Sequence, residues 1–319
     1  MEIWKAALKT EVDGATPELR EAARDYCFTN GRIGLGWGVG DLLEGTALPS
    51  DYADAVRANA RLLRDEWDWN LNSCLTNHDR FSSPERLGDL VWSRSTVSGY
   101  WLGKIVGPWL YDRDPILTGY DLNQWRLCNW FNVGDSANVP GHVRNQFAGR
   151  GGSFTRMVAG GETLKWLSAV IYANLSGEAI GINPPQNADV MTNVGHDDLE
   201  DVVGLYLQQA KNWYIVPTTA KHSTATSEFT LRNEAGETAW LQVKSGHARM
   251  PDVTEIPDGV DRFFVFETTP SFAISAVPTE IRERLEVILP DQLLEWANQH
   301  RTMLPQPVRL LLELADRNL

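Results

Sequence analysis

Cysteine is scarce in this chain. The three thiols, Cys27, Cys74 and Cys128, stand far apart, which excludes a disulfide framework and a Cys-x-x-Cys zinc knuckle and leaves them as small buried hydrophobes. Long apolar runs are missing too: no stretch of about 18 uninterrupted apolar residues occurs, and the first turn carries Glu2 and Lys5 where a leader peptide would be apolar. The expectation is a soluble, cytoplasmic protein with no membrane partner. Basic residues are also short, with 29 Lys and Arg against 42 Asp and Glu and a net charge of −13. That balance excludes a protein that coats nucleic acid through a basic surface. The deficit is uneven. Residues 1–158 hold 17 basic and 20 acidic side chains and the rest of the chain 12 and 22, so a polyanion held by the second half needs a local basic groove or cations that offset the carboxylates.

What is present is enough apolar material for two cores in 319 residues. The segment MEIWKAALKT enters a sheet as a strand. Pro17 to Tyr26 is a helix with Thr16 as N-cap and Pro17 at N1. In NGRIGLGWGVGD no strand, glycine turn and helix unit with a later acid surrounds the glycines, so a dinucleotide fingerprint is discounted and Ile33 to Trp37 reads as a strand. Asp51 to Leu63 is helical on the stripe Tyr52, Val56, Ala60, Leu63. LGDLVWSRSTVSGYWLGKIVGPWLY is a hairpin, QWRLCNWF a further strand, and SFTRM a closing segment. Short strands with a few helices predict a small β-barrel. Nine of the 13 tryptophans precede residue 158, and as a set they supply walls for a stacked base or a cation. Glu162 to Leu175 and the Pro/Gly-containing GEAIGINPPQNADV then connect to a second half, which opens on a helix from Asp197 to Lys211.

The second half is organised around SEFTLRNEAGETAWLQVKSG, residues 227–246. Thr226, Glu228, Thr230 and Arg232 alternate with Ser227, Phe229 and Leu231, turn chemistry spans Asn233 to Glu237, and Ala239 to Lys244 alternate again. On the second strand Leu241 and Val243 share one face and Trp240, Gln242 and Lys244 the other. A hairpin symmetric about Ala235 sets Glu228 opposite Gln242, with opposed Cβ atoms about 5 Å apart and the diagonal Lys244 about 7–8 Å away. A carboxylate, an amide and an ammonium then converge. Glu228, the Gln242 side chain and the Val243 backbone carbonyl offer oxygen ligands to Mg²⁺ or Mn²⁺, and Lys244 can act on water or phosphate. RFFVFET is a buried strand; Thr279 to Ile288, Pro290 to His300 and Pro307 to Leu319 read as helices. The histidines, including His222 and His247, show no metal-ligand spacing.

Glu228 followed by Gln242-x-Lys244 resembles the core of the PD-(D/E)XK nucleases, in the Gln-x-Lys form of Mrr-type restriction endonucleases, although the first acid is Glu rather than the commoner Asp. The resemblance implies a restriction-endonuclease-like α/β core over residues 196–319 and assigns a further acid on the preceding helix, here Glu200. The order of residues 1–158, with IWKAA, GDLVWSR, GYWLGKIVGPWLY, QWRLCNW, VPGHV and SFTRM, resembles PUA-like readers of the EVE and YTH type. This implies a modified-base reader domain with Trp37, Trp92 and Trp101 as cage walls and Asp41 accepting from the base edge, joined through residues 159–195. The two resemblances together imply a two-domain, α/β and α+β protein: a homodimeric, modification-dependent restriction endonuclease that cuts DNA carrying a modified base. A reader with a nuclease-like domain that no longer cuts, and a nuclease toxin or repair enzyme, are the alternatives.

Overall fold

The computed structural model describes residues 1–8, 15–43, 47–65, 68–149, 152–185, 190–219, 228–245, 259–269 and 277–318. Trp67, Thr226, Ser227, Gly246, His222 and His247 lie outside these residues. The chain is mixed α/β with two sheets. Its internal contacts divide it into two compact units, Met1–Val139 with Val143–Asn183, and Pro140–His142 with Pro184–Leu319.

In the first unit the chain runs β1 (Ile3–Ala6), α1 (Pro17–Thr29), β2 (Arg32–Leu35), α2 (Pro49–Ala58), α3 (Ala60–Asp65), α4 (Leu71–Ser82), β3 (Leu90–Ser95), β4 (Gly99–Ile105), β5 (Leu110–Tyr111), α5 (Pro115–Gly119), β6 (Gln124–Gly134), α6 (Gly141–Ala148, whose first two residues count with the second unit), β7 (Phe154–Arg156) and α7 (Gly161–Ser176). Its strands form one curled, half-barrel sheet in the order β2-β6-β4-β3-β1-β7, with β5 also on β6. Among the described residues β2 and β7 are the ends, so the sheet is open where a closed barrel was expected. The β3–β4 hairpin needs glycine at its corner: Gly99 has φ +80, and a Cβ there would lie 2.2 Å from the Gly134 carbonyl oxygen. α1 begins as its sequence predicts, with Thr16 Oγ1 accepting from the Leu19 N–H at 3.2 Å. Two differences come from local polar residues. Asn59 interrupts the expected Asp51–Leu63 helix, its side chain capping back to the Ala55 carbonyl at 2.9 Å, and Asn70 starts α4, unanticipated from the sequence, by accepting from Ser73 N–H.

Both faces of this sheet are covered. The register pairs Trp92 with Leu102 and Leu102 with Phe131, so these three share a face. α7 packs on that face: Ser168 accepts from the Trp92 indole N–H at 3.0 Å, and the Tyr172 ring meets Phe131 edge-on. Residues 161–176, expected as part of a connection, thus form a layer of the first unit. The opposite face meets α1, where Phe28 stacks on Trp101 with ring centroids 4.3 Å apart. Ser168→Ala is expected to destabilise the protein by about 1–3 kcal/mol, because a fully buried indole N–H loses its acceptor; a lower urea midpoint at unchanged slope is the measurement.

The second unit contains α8 (Val190–Asn193), α9 (His196–Lys211), β8 (Tyr214–Ile215), β9 (Phe229–Arg232), β10 (Thr238–Lys244), β11 (Arg262–Glu267), α10 (Thr279–Arg282), β12 (Leu285–Ile288), α11 (Pro290–Gln299) and α12 (Gln306–Asn318). The sheet order is β12-β11-β10-β9-β8, antiparallel from β8 to β10 and parallel from β10 to β12. The helix expected over Thr279–Ile288 is only one turn long. Beyond it Leu285–Ile288 is a strand, because an exposed edge of the apolar β11 offers a ladder that the β-branched Val287 and Ile288 fill better than a helix would. α9 lies against the hairpin through Gly204, where an added Cβ would come within 3.0 Å of Ile215 and 3.1 Å of Phe229. Tyr206 and Gln209 on α9 bond to Gln292 and Trp296 of α11.

Candidate metal centre and the aromatic positions

The hairpin register is the one symmetric about residue 235: Thr238 pairs with Arg232, Ala239 with Leu231, Trp240 with Thr230 and Leu241 with Phe229. One departure falls at the residue that matters. The Glu228 N–H donates to the Leu241 carbonyl at 2.9 Å, the residue paired with Phe229, and Glu228 itself lies just before β9, outside the regular ladder. Strand alternation therefore no longer fixes which way its side chain turns. The Glu228 carboxylate accordingly reaches residues on two elements. Gln242 Nε2 donates to Glu228 Oε1, Lys244 Nζ stands 3.7 Å from the same oxygen, and Glu228 shares a cluster with His196 and Glu200 of α9.

In that cluster one ligand atom each of His196, Glu200 and Glu228 lies within 4.8 Å of the others, spacing that a single cation can bridge. His196 Nε2 is 3.0 Å from Glu200 Oε1. The two residues are four apart on α9 and therefore on one helix face. Glu228 and Gln242 are buried, at 7% and 0% exposure. Burial first, then the charges of Glu228, Asp197 and Asp201, push the Glu200 carboxyl up to about 8, against the opposing pull of Lys244. An acid crowded in this way holds its proton until a cation replaces it.

Two atoms at the site have no hydrogen-bond partner among the described residues, His196 Nδ1 and Gln242 Oε1. Buried polar atoms are nearly always satisfied, so these mark a place prepared for something further. Because the Gln242 amide nitrogen faces Glu228, this side chain orients the carboxylate while its oxygen is the unfilled atom. Lys244 C=O accepts from Thr268 N–H on the β11 side at 3.1 Å, and by strand alternation the Val243 carbonyl points the other way, toward the end of β9.

The structure thus brings together Glu200, Glu228, Gln242 and Lys244, shows no contact of the Val243 carbonyl with them, and adds residues the sequence reading passed over. His196 was missed although its signal, a His four residues before a Glu on one amphipathic helix, was available; the conclusion that no histidine has metal-ligand spacing is corrected. Glu267 pairs in parallel register with Lys244, which puts it on the same sheet face, and it is 5% exposed. A second imidazole, His142, is held below its usual pKa by burial, with opposing Asp197 and reinforcing His196.

The four proposed cage residues are not gathered. Trp92 is fully buried under α7 and faces away from Trp101, because Trp92 pairs with Leu102 and Trp101 with Ser93 on the opposite side of the sheet. Adjacent positions on a strand cannot wall one pocket. Trp101 is stacked on Phe28 and donates to Ser98 Oγ at 2.9 Å. Asp41 is engaged by Arg113 in an exposed ion pair. Trp37, with φ +63, has its carbonyl held by the Tyr52 hydroxyl at 2.8 Å. Tyr52 in turn meets the rings of His78, Trp109 and Tyr111. Trp37 thus adjoins one aromatic group and Trp101 belongs to another, with Phe28 and Trp130.

Comparison with protein-family models, with curated proteins and with solved structures returned no match.

Proposed function

We propose that the second unit is a metal-dependent phosphodiester hydrolase of the PD-(D/E)XK type and that the whole chain is a modification-dependent restriction endonuclease. The observation that carries this reading is the meeting of two carboxylates from different elements, Glu200 and Glu228, with Gln242 and Lys244 at one sheet end. The Gln-x-Lys spacing and the antiparallel-then-parallel strand order support it. In this reading Glu228 and Glu200 hold a divalent cation such as Mg²⁺, with Gln242 keeping Glu228 in place. When bound, the cation supplies positive charge to the scissile phosphate and acidifies a water. Lys244 Nζ presents a second positive charge where the phosphate charge grows. The PUA-like first unit would read a modified base through the aromatic group beside Trp37, and a homodimer would supply one site per strand of cytoplasmic foreign DNA.

The test uses supercoiled plasmids identical except for base modification, incubated with the full chain and Mg²⁺ or Mn²⁺. Nicking or linearisation of modified plasmid that stops with chelator and in Lys244→Ala is the expected result. Selective binding of modified DNA with no strand cleavage under any cation would replace the enzyme by the non-cleaving reader.

A further inference from the structure

We propose that His196 is a nitrogen ligand of this site, so that the site takes a first-row transition-metal ion, Mn²⁺ before Mg²⁺. The proposal rests on the reading of the cluster as a cation site and goes further by fixing the cation class and adding a ligand. Four observations carry it. A ring nitrogen of His196 belongs to the 4.8 Å cluster with Glu200 and Glu228 oxygens. Its position one helical turn before Glu200 directs both side chains to the same side of α9. Its Nδ1 is buried and has no hydrogen-bond partner among the described residues, while Nε2 faces Glu200 Oε1 at 3.0 Å, so the ring is turned into the cluster with one nitrogen unfilled. Gln242, at 0% exposure and bonded to Glu228, leaves its amide oxygen without a partner among the described residues at the same place.

The consequence follows from ligand chemistry. Mg²⁺ prefers an all-oxygen, largely hydrated octahedron and gains little from an imidazole. Mn²⁺ and the later divalent ions bind imidazole better in rising order along the first row. Two carboxylates and one imidazole, with Lys244 close to Glu228, form a set whose charge a single divalent ion offsets. The competing account is a plain His–Glu ion pair near the start of α9, and it predicts no nitrogen bonded to a metal.

The full chain is titrated with Mn²⁺ without DNA. Free ion is followed by the loss of the aqueous Mn²⁺ resonance, and bound ion by pulsed paramagnetic resonance for ¹⁴N coupling. One bound Mn²⁺ with imidazole nitrogen coupling is expected, displaced by Mg²⁺ only at about tenfold excess or more. In His196→Gln, with the fold checked by circular dichroism, the coupling should vanish and Mn²⁺ affinity fall by about tenfold while Mg²⁺ affinity changes less. Glu228→Gln should remove the bound signal, which places it at this cluster. Bound Mn²⁺ without nitrogen coupling, coupling that survives in His196→Gln, or absence of saturable binding overturns the proposal. Failure here is separable from failure of the nuclease reading: cleavage with an all-oxygen cation site leaves that reading standing, and a His196-bound Mn²⁺ in a protein that cuts no DNA removes it while this inference stays.

Discussion

Lys244→Ala is expected to slow phosphodiester cleavage by about 10²–10³-fold at saturating Mn²⁺ while leaving cation affinity equal or slightly tighter. The opposite signs of the two effects make the variant informative. Lys244 Nζ lies 3.7 Å from Glu228 Oε1 with the side chain 20% exposed, so its charge competes with a cation for the same carboxylate, and removing it eases cation binding. In the proposed nuclease its loss would be felt only when a phosphate develops charge in the transition state, which would lower the single-turnover rate without raising the cation requirement. Lys244→Arg separates charge balance from placement. If Lys244 merely neutralises Glu228, arginine restores near wild-type cleavage; if a compact ammonium must reach water or a phosphate oxygen, the planar guanidinium rescues little. Glu228→Gln should be at least as severe, about 10³-fold or more, and through loss of the cation. Equal rates for wild type and Lys244→Ala under single turnover would remove Lys244 from the chemistry.

The parts of this molecule that could be read from the chain are those fixed by local rules. Strand alternation with a turn at Asn233–Glu237 gave the β9–β10 register, and Thr16 with Pro17 gave the start of α1. Of the candidate site residues, those on the hairpin were legible from alternation, and Glu200 on α9 only through the resemblance. What escaped depends on partners distant in sequence. Trp92 and Trp101 look alike in the chain, yet they sit at positions of different parity on β3 and β4, and only the pairing of Trp92 with Leu102 puts them on opposite faces. Leu285–Ile288 is a strand because β11 offers it an edge. Glu228 lies just outside the β9 ladder with its N–H on the Leu241 carbonyl, and an alternation argument carried past the strand end directs its carboxylate away from α9. His196 was legible, since it stands four residues before Glu200 and so on the same face of α9.

The stability gained from a divalent cation is expected to grow as pH rises from about 5 to about 8.5, where a site of ordinary carboxylates, already ionised at about pH 5, would give a flat response. The cause is Glu200. Its carboxyl is pushed from 4.5 up to about 8 by burial, then by Glu228, Asp197 and Asp201, with Lys244 opposing. An acid whose folded-state pKa exceeds its unfolded value keeps its proton in the fold after the open chain has lost it. Its contribution therefore favours the fold fully below about 4.5 and is lost as pH climbs to about 8. That loss is on the order of 5 kcal/mol at most, and a cation that takes the place of the proton returns it. Below pH 8 binding must expel the Glu200 proton, so affinity rises with pH and levels off above that value. In thermal melts of the full chain, Mn²⁺ should raise the melting temperature by about 5 °C or more at pH 8.5 and by far less at pH 5.5. In Glu200→Gln the apo protein should lose its destabilisation at high pH, since the amide carries no charge to desolvate, and the Mn²⁺ shift should shrink. A cation-induced shift that is flat across this range, or equal in wild type and Glu200→Gln, would mean that Glu200 ionises as an ordinary surface acid and takes no part in holding the metal.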